Sequence, residues 1–426
     1  MILVLEIFRS AQTVYKKHGS LLRAWLTFIP FIAVLDPKYV QVILNSSKLS
    51  DKNFMYSFMH NFLGQGLITS SGRKSKSHRR YISSYFKTNY LEQFLQTFDK
   101  CARSMVEELK EKDKVQITTI VNHCILNILH QTIMGISPEE KEKLSESPFN
   151  KGQISLLQRI LHPWLLLNCV YRRTTRSKLE FKQKLSLKEF SRKVLERRKK
   201  EREKHKTMDW CLLDGFIEIS ETKPDFTDED IVDEVCTFML AGQDSVGAAT
   251  AFTLYYLAKF QDVQNKVNEE IKEVISNSNI TIEKLDKMKY LERCICESLR
   301  ICPSVPLVTR KLCEDVKVGE HVLPAGCNIL ISPFSTHRSP QYFPEPETFD
   351  PDRFCTQVHN CAYIPFSAGP RDCLGKRFAM LEMKTVISNL LQSYKVSLAP
   401  GNEQLQLQYR LTLRAKGGIT LMLEKR

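Results

Sequence analysis

The chain has 426 residues, and 62 Lys and Arg against 48 Asp and Glu give a formal net charge of +14. With 42% hydrophobic and 26% charged residues, the composition is typical of a folded soluble protein and excludes a disordered or fibrous one. The 13 cysteines are an odd number spread over a long chain, which argues against a disulfide framework and favours reduced thiols.

The chain begins with short strand-like segments and continues with helical patterns. The strand-like segments are 21–29 and 31–36. Helical patterns follow over 91–109, 115–134, 156–171 and 179–204. The less regular segment 207–225 is predicted to be a surface connection.

A long helix is predicted to begin at Thr227, where Asp230 completes a capping pattern, and to extend to about Phe260. Near the end, alternating apolar residues over 405–413 and a glycine turn predict a closing hairpin with 419–423. These elements give a mainly α fold with a minor antiparallel β-sheet region built from both ends of the chain. Because no linker interrupts it, 1–426 is expected to be a single domain.

Neither a membrane-spanning segment nor a secretory signal is found at the start of the chain. The apolar run 1–5 ends at Glu6 and Arg9, far short of the ~20 residues that a spanning helix requires. Basic residues concentrate at 73–80 and 192–206, and the second run is predicted to be the solvated face of a helix. No zinc-finger or RNP-like motif accompanies them, so nucleic acid is not an expected partner.

One cysteine stands out because of the residues around it. The segment Phe366-Ser-Ala-Gly369-Pro-Arg371-Asp-Cys373-Leu-Gly375 places Cys373 after a turn and before a predicted helix. The N–H groups at a helix N-terminus lower a thiol pKa, and a thiolate there suits an axial iron bond. Gly369 and Gly375 would let a flat cofactor come close. From these residues alone, a buried structural cysteine remains the alternative.

The pattern Phe-x-x-Gly-x-x-x-Cys-x-Gly resembles the haem-binding signature of the cytochromes P450. Three further motifs of that family occur in the required order: Ala241-Gly-Gln-Asp244-Ser245, Glu297-Ser-Leu-Arg300 and Pro351-Asp-Arg353-Phe354. The resemblance covers essentially the whole chain. It is strongest to the animal family-four group, especially its insect members, through the segments 66–72, 237–239 and 337–340.

Two charged motifs are expected to have different roles. Glu297 and Arg300 lie three residues apart on a helix and can pair, and the resemblance adds Arg353 as a second guanidinium that supports the cysteine segment. An exposed ion pair is the alternative.

The resemblance implies that Asp244 and Ser245 relay protons during oxygen activation, which needs an acid and a hydroxyl. The family usually has threonine where Ser245 stands. Serine keeps the hydroxyl but lacks the methyl group that fixes the rotamer, so the coupling of oxygen consumption to product formation is expected to be less efficient.

The resemblance implies haem b as the cofactor, with Cys373 as the iron ligand and Phe366, Gly369 and Gly375 in the binding segment. It also implies that the haem propionates contact three arginines, namely Arg79, Arg310 and Arg371. The family commonly has tryptophan where Ser75 stands, so one propionate hydrogen bond is expected to be missing. Ala241 occupies the position of a glutamate that in some members forms an ester with haem, which excludes covalent attachment there. His337 is expected to be structural.

The implied activity is that of a haem-thiolate monooxygenase that inserts one atom of O2 into a lipophilic substrate. Electrons would come from NADPH through cytochrome P450 reductase docked on the basic segment 73–87, with cytochrome b5 as a further candidate partner. The substrate pocket is expected to draw on 54–67, Phe238, Ala241, 305–308 and Leu411, which are largely apolar. Fatty acid, sterol or terpenoid hormone and foreign compound stay open as substrates.

The implied location is the cytoplasmic face of the endoplasmic reticulum membrane. Microsomal relatives carry an N-terminal anchor that this chain lacks, so its start is expected to be shortened and 156–171 to contact the membrane surface. Two other functions stay open. One is a haem isomerase or dehydratase that needs no O2, although such relatives usually lose the acid and alcohol that Asp244 and Ser245 retain. The other is a non-enzymatic, truncated or decayed haem protein.

Overall fold

The computed structural model describes residues 19–26, 29–137, 159, 162–204, 209–275, 279–356, 358–409 and 411–426. The first helices are α1 (Pro37–Asn45), α2 (Ser57–Leu63), α3 (Gly72–Ile82), α4 (Thr88–Glu107), α5 (Ile117–Met134), α6 (Asn168–Tyr171) and α7 (Thr175–Glu203). They are followed by α8 (Leu212–Thr222), α9 (Asp228–Lys259), α10 (Gln261–Ile275), α11 (Ile282–Lys287), α12 (Lys289–Ile301), α13 (Pro333–Thr336) and α14 (Lys376–Ser393).

The strands are short and belong to several small sheets. In chain order they are β1 (Leu21–Leu26), β2 (Ile29–Val34), β3 (Lys114–Gln116), β4 (Val308–Lys311), β5 (Val316–Val318), β6 (His321–Leu323), β7 (Asn328–Ile331), β8 (Tyr394–Leu398), β9 (Leu407–Tyr409), β10 (Leu413–Ala415) and β11 (Thr420–Lys425). A four-stranded sheet has the order β1-β2-β7-β4, and its β2–β7 pair is parallel. The other strand pairs of the described chain are antiparallel. The predicted fold class is confirmed.

The prediction of one sheet built from both chain ends is wrong. Of the early strands, β1 pairs with β2 and β2 pairs with β7, whereas β11 pairs with β3 and β8 in a separate sheet. The closing hairpin is also wrong, because β10 pairs with β9 and β11 leaves that pair. Gly417 and Gly418 both have positive φ, +79° and +82°, and this glycine turn directs the chain into the other sheet.

The segment 207–225 is not a surface connection, because α8 lies within it and is mostly buried. Leu213 and Phe216 are at most 1% exposed. A capping box starts the helix, with the backbone N–H of Cys211 donating to Asp214 Oδ2 at 2.9 Å. Gly215 weakens the helical pattern in the sequence, yet it is required here, since a Cβ would lie 2.8 Å from the Tyr85 ring.

The long helix α9 begins at the predicted cap. The Thr227 N–H donates to Asp230 Oδ2 at 2.9 Å, and the Asp230 N–H donates to Thr227 Oγ1 at 3.3 Å. Gly242 faces Leu129 of α5, whose Cδ2 would lie 2.8 Å from an added Cβ. We conclude that this glycine lets α9 approach α5 closely, a packing role that the sequence interpretation did not include.

The basic run 192–206 is only partly a solvated face. Exposed Arg192 donates to Glu229 at 2.6 Å and Lys199 to Asp228 at 2.6 Å, which ties α7 to the first turn of α9. Arg198 is buried and donates to Asp214 at 2.8 Å. Of the predicted helix 156–171, residues 159 and 162–171 are described, and these do not form one continuous helix. Its described part consists of the 3₁₀ turn Pro163–Leu166 and α6.

Candidate active site

A cavity of about 400 Å³ lies between α9 and the segment 365–375, which we call the cysteine loop. Its lining is mostly apolar. The residues predicted for the substrate pocket are among those that line it: Met55, Tyr56, Met59, Leu67, Phe238, Ala241, Val305, Leu307, Val308 and Leu411. Cys373, Asp244 and Ser245 line the same cavity, so the fold brings the predicted ligand and the predicted proton donors together.

The cysteine loop holds its thiol against the cavity by backbone contacts. The Cys373 N–H donates to the Phe366 carbonyl at 2.8 Å. Gly369 has φ +69°, and a Cβ there would lie 2.1 Å from the Leu44 carbonyl oxygen, so only glycine fits. Enclosure in the cavity raises the pKa of the Cys373 thiol, while the Gly375 N–H acts in the opposite direction. The Cys373 side chain is nevertheless accessible from the cavity. The predicted pKa lowering by the helix terminus is thus opposed by desolvation from the cavity walls.

Beneath the loop, one carboxylate binds two guanidiniums. Arg300 donates to both oxygens of Glu297, at 2.7 and 2.9 Å, and Arg353 donates to Oε1 at 3.0 Å. Neither Glu297 nor Arg300 has measurable side-chain exposure. The remaining guanidinium donors reach backbone carbonyls, including those of His337 and Thr348. The structure therefore places all three residues in one closed network, which we call the buried triad.

His337 connects the buried triad to the chain that enters the cysteine loop. Its Nδ1 lies 3.2 Å from the Arg300 carbonyl oxygen, and its Nε2 accepts the Ile364 N–H at 2.8 Å. Burial, followed by the charge of Arg300, lowers the pKa of His337 to about 3. A neutral imidazole with both nitrogens used is a structural residue, as predicted.

A second group of cations lies beside the cavity: Arg371 lines it, and the buried Arg310 follows the lining residue Thr309. Arg371 donates to the carbonyls of Ser50, at 3.1 Å, and Ser70, and to Ser75 Oγ. Arg310 is 2% exposed and donates to the Thr309 carbonyl at 2.9 Å. Within the described residues, neither forms an ion pair with Asp or Glu. Burial and the neighbouring Arg310 lower the pKa of Arg371 to about 10.

Lys52 is a functional candidate that the sequence interpretation missed. It lines the cavity, and its Nζ lies 4.2 Å from the centre of the Tyr56 ring. Burial, followed by the charges of Arg310 and Arg371, lowers its pKa well below the usual range. No motif marks this lysine. The only sequence signal is a cation beside an otherwise apolar pocket segment. We call Lys52, Arg310 and Arg371 the cation cluster.

Arg79 is placed differently from the cation cluster. It projects from α3, and its Nη1 donates to the Asp372 carbonyl at 2.7 Å. Its Nη2 pairs with the Asp372 carboxylate, so its charge already has a protein counter-ion. Arg79 also lines the cavity. The contact places α3 directly beside the cysteine loop.

The proposed proton donors are both held by neighbours. The Asp244 carboxylate pairs with Arg414 of β10 and accepts from Thr412 Oγ1 at 3.4 Å. The Ser245 hydroxyl donates to the Ala241 carbonyl at 2.6 Å. Ser304 donates to the Ser245 carbonyl at 2.8 Å and so fixes this part of α9 against the segment that follows α12. The pair thus lies on the cavity wall with its hydrogen bonds defined.

The residues of this site fit a haem. A thiol faces an apolar cavity that Lys52 and Arg371 also line, and the buried Arg310 follows the lining residue Thr309. A dianionic flat cofactor requires such cations. Gly375 leaves the cavity open, since an added Cβ would meet only a Phe86 ring carbon at 3.9 Å. All 13 cysteines are free, as predicted. Within the described ranges, no cluster of His, Cys, Asp and Glu could hold a metal ion by itself.

Fold and site together define a haem-thiolate protein. A family model described as Cytochrome P450 matches residues 4–422, and the chain belongs to this family. It is 44% identical to "Probable cytochrome P450 4aa1" of Drosophila melanogaster over 433 residues, which cover 98% of this chain and 85% of that protein. It is 34% identical to "Cytochrome P450 4V2" of Mus musculus (96% and 83% covered) and to "Cytochrome P450 4c21" of Blattella germanica (97% and 88% covered).

Membership of the family identifies the chain as a haem-thiolate monooxygenase, an oxidoreductase with haem as its cofactor. The predicted resemblance to family-four relatives is confirmed. In the part of the chain that the structure describes, we find no helix with both the length and the apolar character needed to cross a bilayer.

Proposed function

We propose that the chain oxidises a lipophilic substrate with electrons from NADPH, delivered by cytochrome P450 reductase. The observation that carries this proposal is the apolar cavity bounded by Cys373 on the cysteine loop and by Asp244 and Ser245 on α9. Haem, when bound, supplies the redox chemistry that inserts one atom of O2. The protein binds and orients the substrate, excludes water and delivers protons.

We assign the iron ligand to Cys373, with Phe366, Gly369 and Gly375 shaping the loop around the cofactor. Arg310 and Arg371 bind the propionates, because both are enclosed cations without a carboxylate partner among the described residues. Arg79 reaches the same region, but its ion pair with Asp372 makes it a weaker contact. The buried triad Glu297, Arg300 and Arg353 supports the loop and touches no substrate. All these groups belong to one domain that spans 1–426.

Proton delivery is assigned to Asp244 and Ser245. Thr412 and Arg414 keep the carboxylate at the cavity wall, where it can exchange protons with water. The Ser245 hydroxyl donates to Ala241 at rest, and rotation about χ1 would turn it toward the cavity. Threonine would be restricted by its methyl group. Part of the oxygen consumed by this protein is therefore expected to escape without forming product.

The carbon monoxide spectrum of the reduced protein tests the haem-thiolate assignment. We expect the far-red Soret band that gives the family its name, and its loss in Cys373→Ala. The matched control is Cys313→Ala, since Cys313 is exposed and lies in the segment between β4 and β5. Equal spectra for the wild type and Cys373→Ala would remove the ligand assignment.

Turnover with NADPH, reductase and ¹⁸O2 tests the reaction. Fatty acids, sterols, terpenoids and foreign compounds would be offered in turn, and we expect one ¹⁸O atom in the product. Product formed without O2 would instead identify an isomerase or dehydratase. A normal carbon monoxide spectrum with no turnover of any compound would favour the non-enzymatic haem protein.

The reductase is proposed to bind the exposed basic face of α3. Arg73 and Lys76 are exposed on this helix, and Arg79 of the same helix reaches Asp372 beside Cys373. A partner docked there would therefore deliver electrons close to the ligand. Arg73→Glu with Lys76→Glu should weaken reductase binding, while Lys112→Glu, an exposed residue after α4, should not. Unchanged affinity in the double variant would count against this surface. Cytochrome b5 is proposed to compete for the same face.

We also propose peripheral contact with the endoplasmic reticulum membrane, from its cytoplasmic side. Trp164 and Leu167 are 57% and 56% exposed, and Trp25 of β1 is 59% exposed. Trp164→Ala with Leu167→Ala should reduce binding to phospholipid vesicles. Val322→Ala is the control, because Val322 is 61% exposed on β6. Vesicle binding that is insensitive to all these changes would contradict the proposal.

A further inference from the structure

The cation cluster contains one positive group, Lys52, that the resemblance to cytochromes P450 did not assign. Lys52, Arg310 and Arg371 lie close enough that the two guanidiniums lower the pKa of Lys52, after the larger effect of burial. Within the described residues, none of the three forms an ion pair with Asp or Glu. Enclosed like charges destabilise a fold unless an anion binds among them. The cluster therefore marks an anion site at the edge of the cavity.

Lys52 is held in position by its backbone. Its N–H donates to Ser71 Oγ at 2.9 Å, and the preceding Asp51 carbonyl accepts the Lys311 N–H of β4 at 3.1 Å. The ammonium lies over the Tyr56 ring and lines the cavity. An ammonium has three N–H donors, and its electrostatic contact with the ring face leaves them able to form hydrogen bonds. Lys52 is thus a cation that is held in position and can donate hydrogen bonds to a bound anion.

On α3, the propionate hydrogen bond at position 75 was expected to be missing, and the expected donor Arg79 is already paired. Ser75 replaces the family tryptophan, and its hydroxyl accepts from Arg371. Arg79 pairs with the Asp372 carboxylate, which neutralises its charge. The chain therefore needs another donor for the two carboxylates of haem. Arg371 is two residues from Cys373, so the cation cluster lies at the edge of the site that the ligand defines.

We propose that Lys52 is a haem-positioning residue that binds a propionate together with Arg310 and Arg371, in place of the tryptophan that Ser75 replaces. The proposal rests on the haem binding assigned above. It predicts that Lys52 controls how long haem stays bound. It also predicts an effect on the iron reduction potential, because a cation near the propionates favours the reduced, more negative state of the cofactor.

Haem release from the holoprotein tests the proposal. Haem transfer to excess apomyoglobin would be followed for the wild type, Lys52→Met, Lys52→Arg and Lys48→Met. Loss of a charge-assisted hydrogen bond should speed release from Lys52→Met by about ten- to a hundredfold. Lys52→Arg should restore slow release. The control Lys48 is 72% exposed and pairs with Glu314 at the surface, so its variant should match the wild type.

A second measurement excludes a merely structural role. The midpoint potential of Lys52→Met should shift to more negative values, with helical circular dichroism unchanged. Lys52→Gln gives the same two measurements if the methionine variant does not fold. Unchanged release and potential in a folded, uncharged variant would overturn the proposal. Weakened binding of lauric acid with unchanged haem release would also overturn it, because Lys52 would then serve the substrate. A wild type without the thiolate spectrum but with haem bound would remove the proposed activity and still allow these comparisons.

Discussion

The buried triad and the cation cluster are two groups of buried or partly buried charges near the cysteine loop, and they are balanced differently. In the buried triad, Glu297 receives bonds from Arg300 and Arg353, and the remaining donors reach backbone carbonyls. In the cation cluster, Arg310 and Arg371 reach carbonyls and the hydroxyls of Tyr56 and Ser75, and Lys52 lies over the Tyr56 ring. The first network is closed within the protein, whereas the second needs an anion from outside.

This difference separates structure from ligand binding among residues of similar burial. A closed network gains nothing from a ligand and loses stability when one member is removed. An open cluster is destabilising by itself and gains stability when an anion binds, in proportion to the ligand's affinity for the folded chain. Arg300 and Arg310 are both buried arginines, and it is the difference between their partners that leads us to propose a structural role for Arg300 and cofactor binding for Arg310.

The largest effect is expected from opening the closed network. Glu297→Gln keeps the size of the side chain but leaves two buried guanidiniums without a carboxylate, so the free energy of unfolding should fall by about 3–5 kcal/mol. Denaturant unfolding monitored by circular dichroism measures this loss. Glu269→Gln, on the exposed face of α10, should change stability by less than about 0.5 kcal/mol. Equal stability of the two variants would show that the buried triad is not structural.

The same substitution at the two buried arginines sharpens the comparison. Arg300→Leu should prevent normal folding, because it leaves Glu297 paired only with Arg353 in a buried site. Arg310→Leu should fold with unchanged helical content, since it removes a positive charge from a repulsive cluster. Its haem should leave about ten- to a hundredfold faster, as expected for a lost charge-assisted bond.

Circular dichroism and haem transfer to apomyoglobin would be measured on both variants. If Arg310→Leu unfolds as Arg300→Leu does, the cation cluster is structural and the distinction fails. If both variants fold and both retain haem, neither group has the role assigned to it.

The sequence could predict the buried triad but not the whole cation cluster. Glu297 and Arg300 are local neighbours on one helix, and a motif supplies Arg353, so a linear pattern contains the triad. Lys52 joins Arg310 only because β4 lies beside 51–53 in space, where Lys311 and Thr309 bond to that segment. The Arg79–Asp372 pair is likewise a long-range contact. Such pairs depend on tertiary packing, which leaves no periodic trace in the sequence.

The same limit explains the errors in the fold. The cap of α9 was predictable because Thr227 and Asp230 are three residues apart. By contrast, α8 is short, and Gly215 interrupts its apolar pattern. A glycine is needed there because the ring of Tyr85, from another helical segment, packs against it. The pairing of β11 with β3 joins 420–422 to 114–116, a choice that local turn residues cannot specify.

The smallest expected effect is a pH dependence within the closed network. His337 has a pKa of about 3 in the folded chain, against about 6.5 when unfolded. Between pH 3 and 6.5, the imidazole is therefore protonated in the unfolded chain but not in the folded chain. The free energy of unfolding consequently decreases as the pH falls from about 6.5 toward 3. One such group changes the free energy of unfolding by at most about 1.4 kcal/mol per pH unit.

His337→Asn, whose amide does not titrate, should be less stable at pH 7 but should lose stability less steeply on acidification. After the larger effect of burial, Arg300 and Arg338 both lower the pKa of His337, and both are present in the two proteins, so the slope difference can be attributed to the imidazole. His321→Asn on the exposed β6 should retain the wild-type slope. Denaturant unfolding at several pH values between 4 and 7 measures all three slopes. Parallel lines for the wild type and His337→Asn would mean that His337 can be protonated in the folded chain, and that the connection from Arg300 to Ile364 is not closed.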